Sequence, residues 1–270
     1  MLKLRLLTAA VLIPAFLGLF YAASPNVFAV VTAIVMILAA YEWSNLIGFE
    51  SWVHKLIYLS CFVSIMIFMT YRIPYPIVML GALLWWLAAC PLLLLYVRKI
   101  NLIPKNKLFA ALIGCIVLIP AWEAVNLLRY LAFNATIYLF ILIWGADTVA
   151  YFAGKAWGKH RLALTISPGK SVEGAIAALV FAIMASLAVV FGFAMPKALL
   201  PWIMLTSVLT VTFSIIGDLF ESLMKREANL KDSSNLLPGH GGILDRIDSL
   251  TAAAPVYLLA LMMLMGNLVV

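Results

Sequence analysis

Charge is what this sequence has least of: Asp, Glu, Lys and Arg together make up 11% of its 270 residues, against about 25% in soluble proteins. With 66% of the residues hydrophobic, a water-soluble globule is excluded. Cysteine is scarce and odd in number. Cys61, Cys90 and Cys115 all sit in apolar runs, where they act as small hydrophobes, so no disulfide framework is expected. Three histidines leave little scope for a His-ligated metal. Sequence repeats and low-complexity linkers are absent as well.

What is abundant is apolar sequence in long runs, with a mean hydropathy of +1.12. Runs near twenty residues mark membrane-spanning helices. Nine candidates fall at about 6–23, 27–46, 56–71, 76–97, 108–128, 135–154, 173–194, 199–220 and 250–268, the third being the shortest. The expectation is an all-α polytopic membrane protein forming one integral domain over 1–270. Residues 1–130 would be scaffold and 131–270 would carry the chemistry. Residues 1–23 superficially resemble a signal peptide, but Pro25 and further spans follow at once, so an uncleaved first helix is expected. Pro14 and Pro120 lie within spans and read as kinks, because neighbouring helices can satisfy the freed carbonyls.

Nine spans put the two ends on opposite sides. Of 18 basic residues, Arg72, Arg129 and Lys197 alone fall on the face opposite the N-terminus. The positive-inside rule then places the N-terminus in the cytoplasm and the C-terminus outside. A net charge of +7 suits such a membrane surface and polyanionic ligands, and no nucleic acid is expected.

Two cytoplasmic loops, 154–172 and 221–249, are rich in Gly, Pro, Lys and Asp, and chemistry is expected there. Asp147 and Asp218 lie near the cytoplasmic ends of their spans, and a carboxylate at membrane depth costs roughly 2.5–3.5 kcal/mol, so each calls for a function. If the helix bearing Asp218 continues, Glu221 and Lys225 extend a polar stripe from it. Asp245 and Asp248 share a face at the start of the last span. Two like charges so close suit a shared hard cation such as Mg²⁺, whereas zinc would prefer His and Cys.

Between these carboxylates run Ser222, Lys225, Arg226, Lys231, Ser233 and Ser234, then Pro238-Gly239-His240-Gly241-Gly242. Cations, small hydroxyls and a bare turn whose amides can approach an anion suit a Mg-bound polyphosphate, with His240 as a phosphate donor. In the other loop, Ser167-Pro168-Gly169-Lys170-Ser171 leads into a helix. It is not a P-loop, because the motif's first glycine would fall at Leu164 and no parallel sheet is available. A serine and a lysine at a helix start remain, a generic phosphate-binding arrangement.

These residues carry a resemblance. Ser-x-apolar-Lys-Arg, then Lys231-Asp232, then Pro238-x-His-Gly-Gly-apolar-x-Asp-Arg-apolar-Asp resembles the C-terminal pattern of the bacterial phosphatidate cytidylyltransferases, and every specified position from Ser222 to Asp248 is filled. Met1-Leu2-Lys3-x-Arg5, Trp144-Gly145-Ala146-Asp147, Gly158-Lys159-His160 and Leu250-Thr251-Ala252-Ala253 extend the likeness along the chain. Val172-Glu173 departs from it, where many relatives carry Trp after the Ser/Thr.

The resemblance implies transfer of a cytidylyl group from CTP to phosphatidate by a Mg²⁺-dependent homodimer in the lipid bilayer of a bacterial inner membrane, which makes the outer side the periplasm, with room for a second cation such as K⁺. Asp218 and Asp245, with Asp248, are the implied metal ligands. Lys225, Arg226 and Lys231 join them as catalytic residues. Asp147, Ser167, Lys170, Ser171, Ser222, Asp232, His240, Gly241, Gly242 and Arg246 are the implied substrate contacts. Two other readings compete: a CTP-dependent lipid-alcohol kinase, which would attack the terminal phosphorus, and a secondary transporter using Asp147 and Asp218.

Overall fold

The computed structural model of the protein describes residues 14–101, 106–237, 239 and 241–268. Its architecture is a helical bundle. Residues 14–22 form α1; then come α2 (Pro25–Leu46), α3 (Trp52–Arg72), α4 (Tyr75–Val97), α5 (Lys107–Leu131) and α6 (Phe133–Trp157). A hairpin of β1 (Arg161–Ala163) and β2 (Ser167–Ser171) precedes α7 (Val172–Gly192), α8 (Leu200–Glu227) and α9 (Leu244–Leu268). Eight of the described helices are long and apolar enough to cross a membrane. They match the second to ninth expected spans. Residues 6–13 of the first expected span, and the 1–5 opening, lie outside the described residues.

Helix α5 is the most enclosed. Small residues let its neighbours approach: at Gly114 an added Cβ would lie 2.6 Å from the Trp43 indole nitrogen, and that indole donates to Ala110 O at 2.9 Å. Pro120 sits inside α5 as expected, while Pro91 in α4 and Pro255 in α9 are further intrahelical prolines.

The polar connections gather at one end of the bundle. Lys107 Nζ donates to Gly48 O at 2.5 Å, joining the α2–α3 turn to the start of α5. Tyr96 and Asn101 both donate to Glu227 at 2.9 Å, joining the end of α4 to the end of α8. Arg226 Nε donates to Ile166 O at 3.0 Å, tying α8 to the hairpin. The connections that carry most of the basic residues thus form a single surface.

Three expected boundaries are corrected. The third span is not short: α3 begins at Trp52, because Lys55 carries its ammonium out to Asn45 Oδ1, 2.6 Å away, and over the Tyr41 and Trp52 rings. The loop expected at 154–172 holds the last turn of α6 and the hairpin, with Arg161 opposite Ser171 and Ala163 opposite Ser167. The loop expected at 221–249 shrinks to 228–243. Helix α8 runs 28 residues, about 42 Å at 1.5 Å per residue, so its last turns outreach a hydrocarbon core of about 30 Å. Ser222, Lys225, Arg226 and Glu227 are polar without being irregular, and Leu223 and Met224 between them are buried in the core. The helix stops where Asn229 adopts φ +56° and Leu230 N donates to Lys225 O at 2.8 Å. The last span likewise starts six residues early, at Leu244.

Candidate active site

Where α6, α7, α8 and α9 meet the hairpin, they enclose a polar pocket of about 810 Å³. Ten of the expected residues line it: Asp147, Ser167, Lys170, Ser171, Asp218, Lys225, Asp232, Asp245, Arg246 and Asp248. Helical spacing explains the gathering. Asp218, Glu221 and Lys225 follow one another along α8, and Asp245 and Asp248 share the first turns of α9, the helix against which α8 packs most extensively. Lys155 and Arg161 add cations to the lining.

The hairpin delivers Lys170. Ser171 is buried and caps α7, accepting from Gly174 N at 3.1 Å. Gly154 and Gly158 leave room for it, since a Cβ at either would lie 2.9 Å from Ser171 Oγ. One residue earlier, Lys170 forms an ion pair with Asp218 Oδ2. Glu173 fastens the hairpin base, accepting from His160 N at 3.2 Å and meeting its ring Nδ1 at 2.7 Å.

Asp245 is held from all sides. Its Oδ1 meets Lys225 Nζ at 2.6 Å, and its Oδ2 accepts from Gly242 N at 2.8 Å, Ser233 N at 2.9 Å and Ser233 Oγ at 3.0 Å. Lys225 also meets Glu221 Oε2 at 2.5 Å, which makes a buried carboxylate–ammonium–carboxylate triad. Asp218 instead pairs with Lys170 and lies within electrostatic reach of both Asp147 and Asp248.

Gly239, Gly241 and Gly242 of the expected turn lie within the described residues. Gly239 and Gly241 take φ of +78° and +85°, values open to glycine, and Leu237 N donates to Gly241 O at 2.9 Å. Its amide at Gly242 points to the chain's own Asp245 rather than to open pocket. Ser222 is buried and donates to Asp218 Oδ1 at 3.4 Å. Arg226 is exposed and engages the Ile166 and Leu230 carbonyls, and Lys231 is exposed outside the pocket lining. His240 lies outside the described residues.

Among the described residues, no group of three or more His, Cys, Asp or Glu side chains is arranged to hold a metal ion by itself. The donor chemistry nonetheless fits Mg²⁺, which is usually held by one or two carboxylates with substrate phosphates completing its shell. Asp218 and Asp248 both line the pocket and offer hard oxygen donors of that kind. Three donors already occupy Asp245 Oδ2.

A second, apolar cavity of about 770 Å³ adjoins the first, walled by residues of α1, α2, α5, α6 and α9 such as Phe16, Val31, Val35, Trp122 and Phe140. Asp147, Asp245, Arg246 and Asp248 line both spaces.

Unforeseen in the sequence was Glu42, fully buried at the end of α2, whose carboxylate accepts four hydrogen bonds from the 233–244 segment. An acid inside an apolar run is itself a signal, the same one that singles out Asp147 and Asp218.

Comparison with known proteins agrees with this geometry. The chain is 42% identical to a phosphatidate cytidylyltransferase of Pseudomonas aeruginosa over 95% of its own length and 96% of that protein's. It is 36% identical to the Haemophilus influenzae phosphatidate cytidylyltransferase, covering 95% and 97% of the two chains. The Bacillus subtilis phosphatidate cytidylyltransferase is 44% identical over 46% of each chain. The model of the cytidylyltransferase family matches residues 3–264, and the chain belongs to that family.

Proposed function

We propose that this protein is a phosphatidate cytidylyltransferase, joining CTP and phosphatidate to give CDP-diacylglycerol and pyrophosphate. The shared wall carries this reading. A lipid phosphate at Asp147, Arg246 and Asp248 would keep its acyl chains in the apolar cavity, while a triphosphate would occupy the polar pocket beside it.

A phosphatidate oxygen attacks the α-phosphorus of CTP in line. The new P–O bond forms as the α–β bridging bond breaks, and pyrophosphate leaves with the electron pair. The lipid phosphate is already ionised, so no general base is needed. The work is positioning and charge neutralisation. Lys170, Lys155 and Arg161 surround the triphosphate space and offset its charge, and Arg246 faces the lipid phosphate. When bound, Mg²⁺ would be held by Asp218 and Asp248 and would supply Lewis acidity at the phosphoryl oxygens. Asp245 orders the pocket floor through Lys225, Ser233 and Gly242.

The basic end of the bundle belongs at the cytoplasmic face of the inner membrane in this reading, supported by the distribution of Lys and Arg. A homodimer and a second cation such as K⁺ rest on the family resemblance alone. Purified protein given phosphatidate, Mg²⁺ and CTP labelled separately at the α and γ phosphates tests the reaction. Lipid should acquire the α label with pyrophosphate released. Transfer of the γ label would establish a kinase, and no labelled lipid would refute both.

A further inference from the structure

Glu42 lies in the half of the chain that carries none of the pocket carboxylates or cations, yet it is 0% exposed and meets four donors. Its Oε1 accepts from Ser234 Oγ at 2.6 Å and Ile243 N at 2.9 Å, and its Oε2 from Leu244 N at 2.7 Å and Ser233 Oγ at 2.9 Å. Four donors and no acceptor are what a carboxylate requires. Two of these bonds are to amides at the very start of α9, where a helix leaves its first N–H groups without intrahelical partners. The other two fix the serines that follow Lys231-Asp232. Helix α9 therefore receives its cap from a residue about two hundred positions away.

Two further contacts link this cap to the pocket. Ser233 Oγ lies between Glu42 Oε2 at 2.9 Å and Asp245 Oδ2 at 3.0 Å, so the two carboxylates share its single hydroxyl proton. A Cβ at Gly242 would stand 2.5 Å from Glu42 Oε2, so the backbone runs directly against the carboxylate. Asp245, Arg246 and Asp248 follow within the next turns and line the pocket.

We infer that Glu42 is a positioning residue for cytidylyl transfer: from α2 it sets the start of α9 and the Ser233-Ser234 pair, and through them the placement of Asp245, Arg246 and Asp248. The inference deepens the function proposed above and rests on it for its kinetic consequence. Glu42 touches neither substrate. Its loss should act as loss of a supporting residue behind a binding group does, a fall of about 10- to 100-fold in activity.

The test uses full-length protein in detergent with Glu42→Gln, Glu42→Asp and Ser234→Ala. Glu42→Gln keeps the shape but turns an NH₂ group toward donors. It should lower kcat/KM for CTP by about 10- to 100-fold and raise amide hydrogen exchange at 243–244 with little change in the periplasmic halves of the helices. Glu42→Asp, which keeps the charge, should recover part of both. If Glu42→Gln does not accumulate, Ser234→Ala should still lower kcat/KM by about two- to tenfold, as expected for one hydrogen bond. A double-mutant cycle of Glu42→Gln with Ser233→Ala should be non-additive, because both act through one hydroxyl. Additive effects, or Glu42→Gln within twofold of wild type with unchanged exchange at 243–244, would overturn the positioning role. Exchange is read without turnover. A wild-type protein that makes no CDP-diacylglycerol would refute the reaction, while the exchange result would still decide whether Glu42 holds α9.

Discussion

Lys225 offers the most demanding prediction. Its ammonium lies 2.5 Å from Glu221 and 2.6 Å from Asp245, and the three side chains are 10%, 4% and 6% exposed. Replacing it by Met keeps the volume and removes the charge. The two carboxylates do not suffer equally. Asp245 retains Gly242 N, Ser233 N and Ser233 Oγ, whereas Glu221 has no hydrogen-bond partner among the described residues beyond this ion pair. Breaking a buried pair from one side costs about 3–5 kcal/mol. At about 2–4 °C per kcal/mol for a chain of this size, the apparent melting temperature in detergent should fall by roughly 6–20 °C. Adding Glu221→Leu removes the stranded carboxylate, so the double variant should regain at least half of the loss, as apolar replacement of a buried pair commonly does. Activity should stay low in both, because Lys225 lines the pocket. Differential scanning fluorimetry of the three proteins is the assay. A single variant as stable as wild type, or a double variant no more stable than the single one, would refute the reasoning.

Other outcomes follow from the same geometry. Lys170→Ala frees Asp218 of its partner and strips the pocket of a cation; steady-state kinetics should show kcat/KM for CTP reduced by about 10²–10³-fold, the scale of losing one charge-stabilising donor. Gly242→Ala forces a methyl group onto Ser233 Oγ and the Glu42 carboxylate; overpacking of this kind costs about 1–3 kcal/mol and should appear as a lowered melting temperature together with lost turnover. Val35→Trp fills the apolar cavity from α2 without reaching the polar pocket, so the KM for phosphatidate should rise several-fold while that for CTP stays within twofold.

Much of the site was legible because its chemistry is written in adjacent residues. Asp245 and Asp248 are one helical turn apart, and Lys170 and Ser171 stand at a helix start, so spacing alone places them. Helix ends were harder. Ser222, Lys225, Arg226 and Glu227 make the end of α8 read as loop, yet their polarity reflects a helix leaving the hydrocarbon, not a helix ending. The division of labour between carboxylates was invisible. Asp218 and Asp245 look alike as sequence, but one pairs with a lysine from the hairpin while the other pairs with Lys225 of α8 and is further enclosed by backbone amides and a serine. Glu42 was missed because its partners are about two hundred residues away, and no local pattern encodes a cap supplied by another helix. Glu123 is a second buried acid of this kind, bonded to Thr70 at 3.2 Å.

In the proposed reaction the two cavities hold the two substrates and meet at the wall formed by α6 and α9. A phosphatidate carrying a photoactivated diazirine in one acyl chain measures this most directly. After irradiation with and without CTP, the adducts are mapped by mass spectrometry. Adducts on Phe16, Val31, Val35 or Trp122, lost on competition with unmodified phosphatidate and not with CTP, are the predicted result. Adducts confined to the outer faces of α3 and α4, or lost on adding CTP alone, would contradict it.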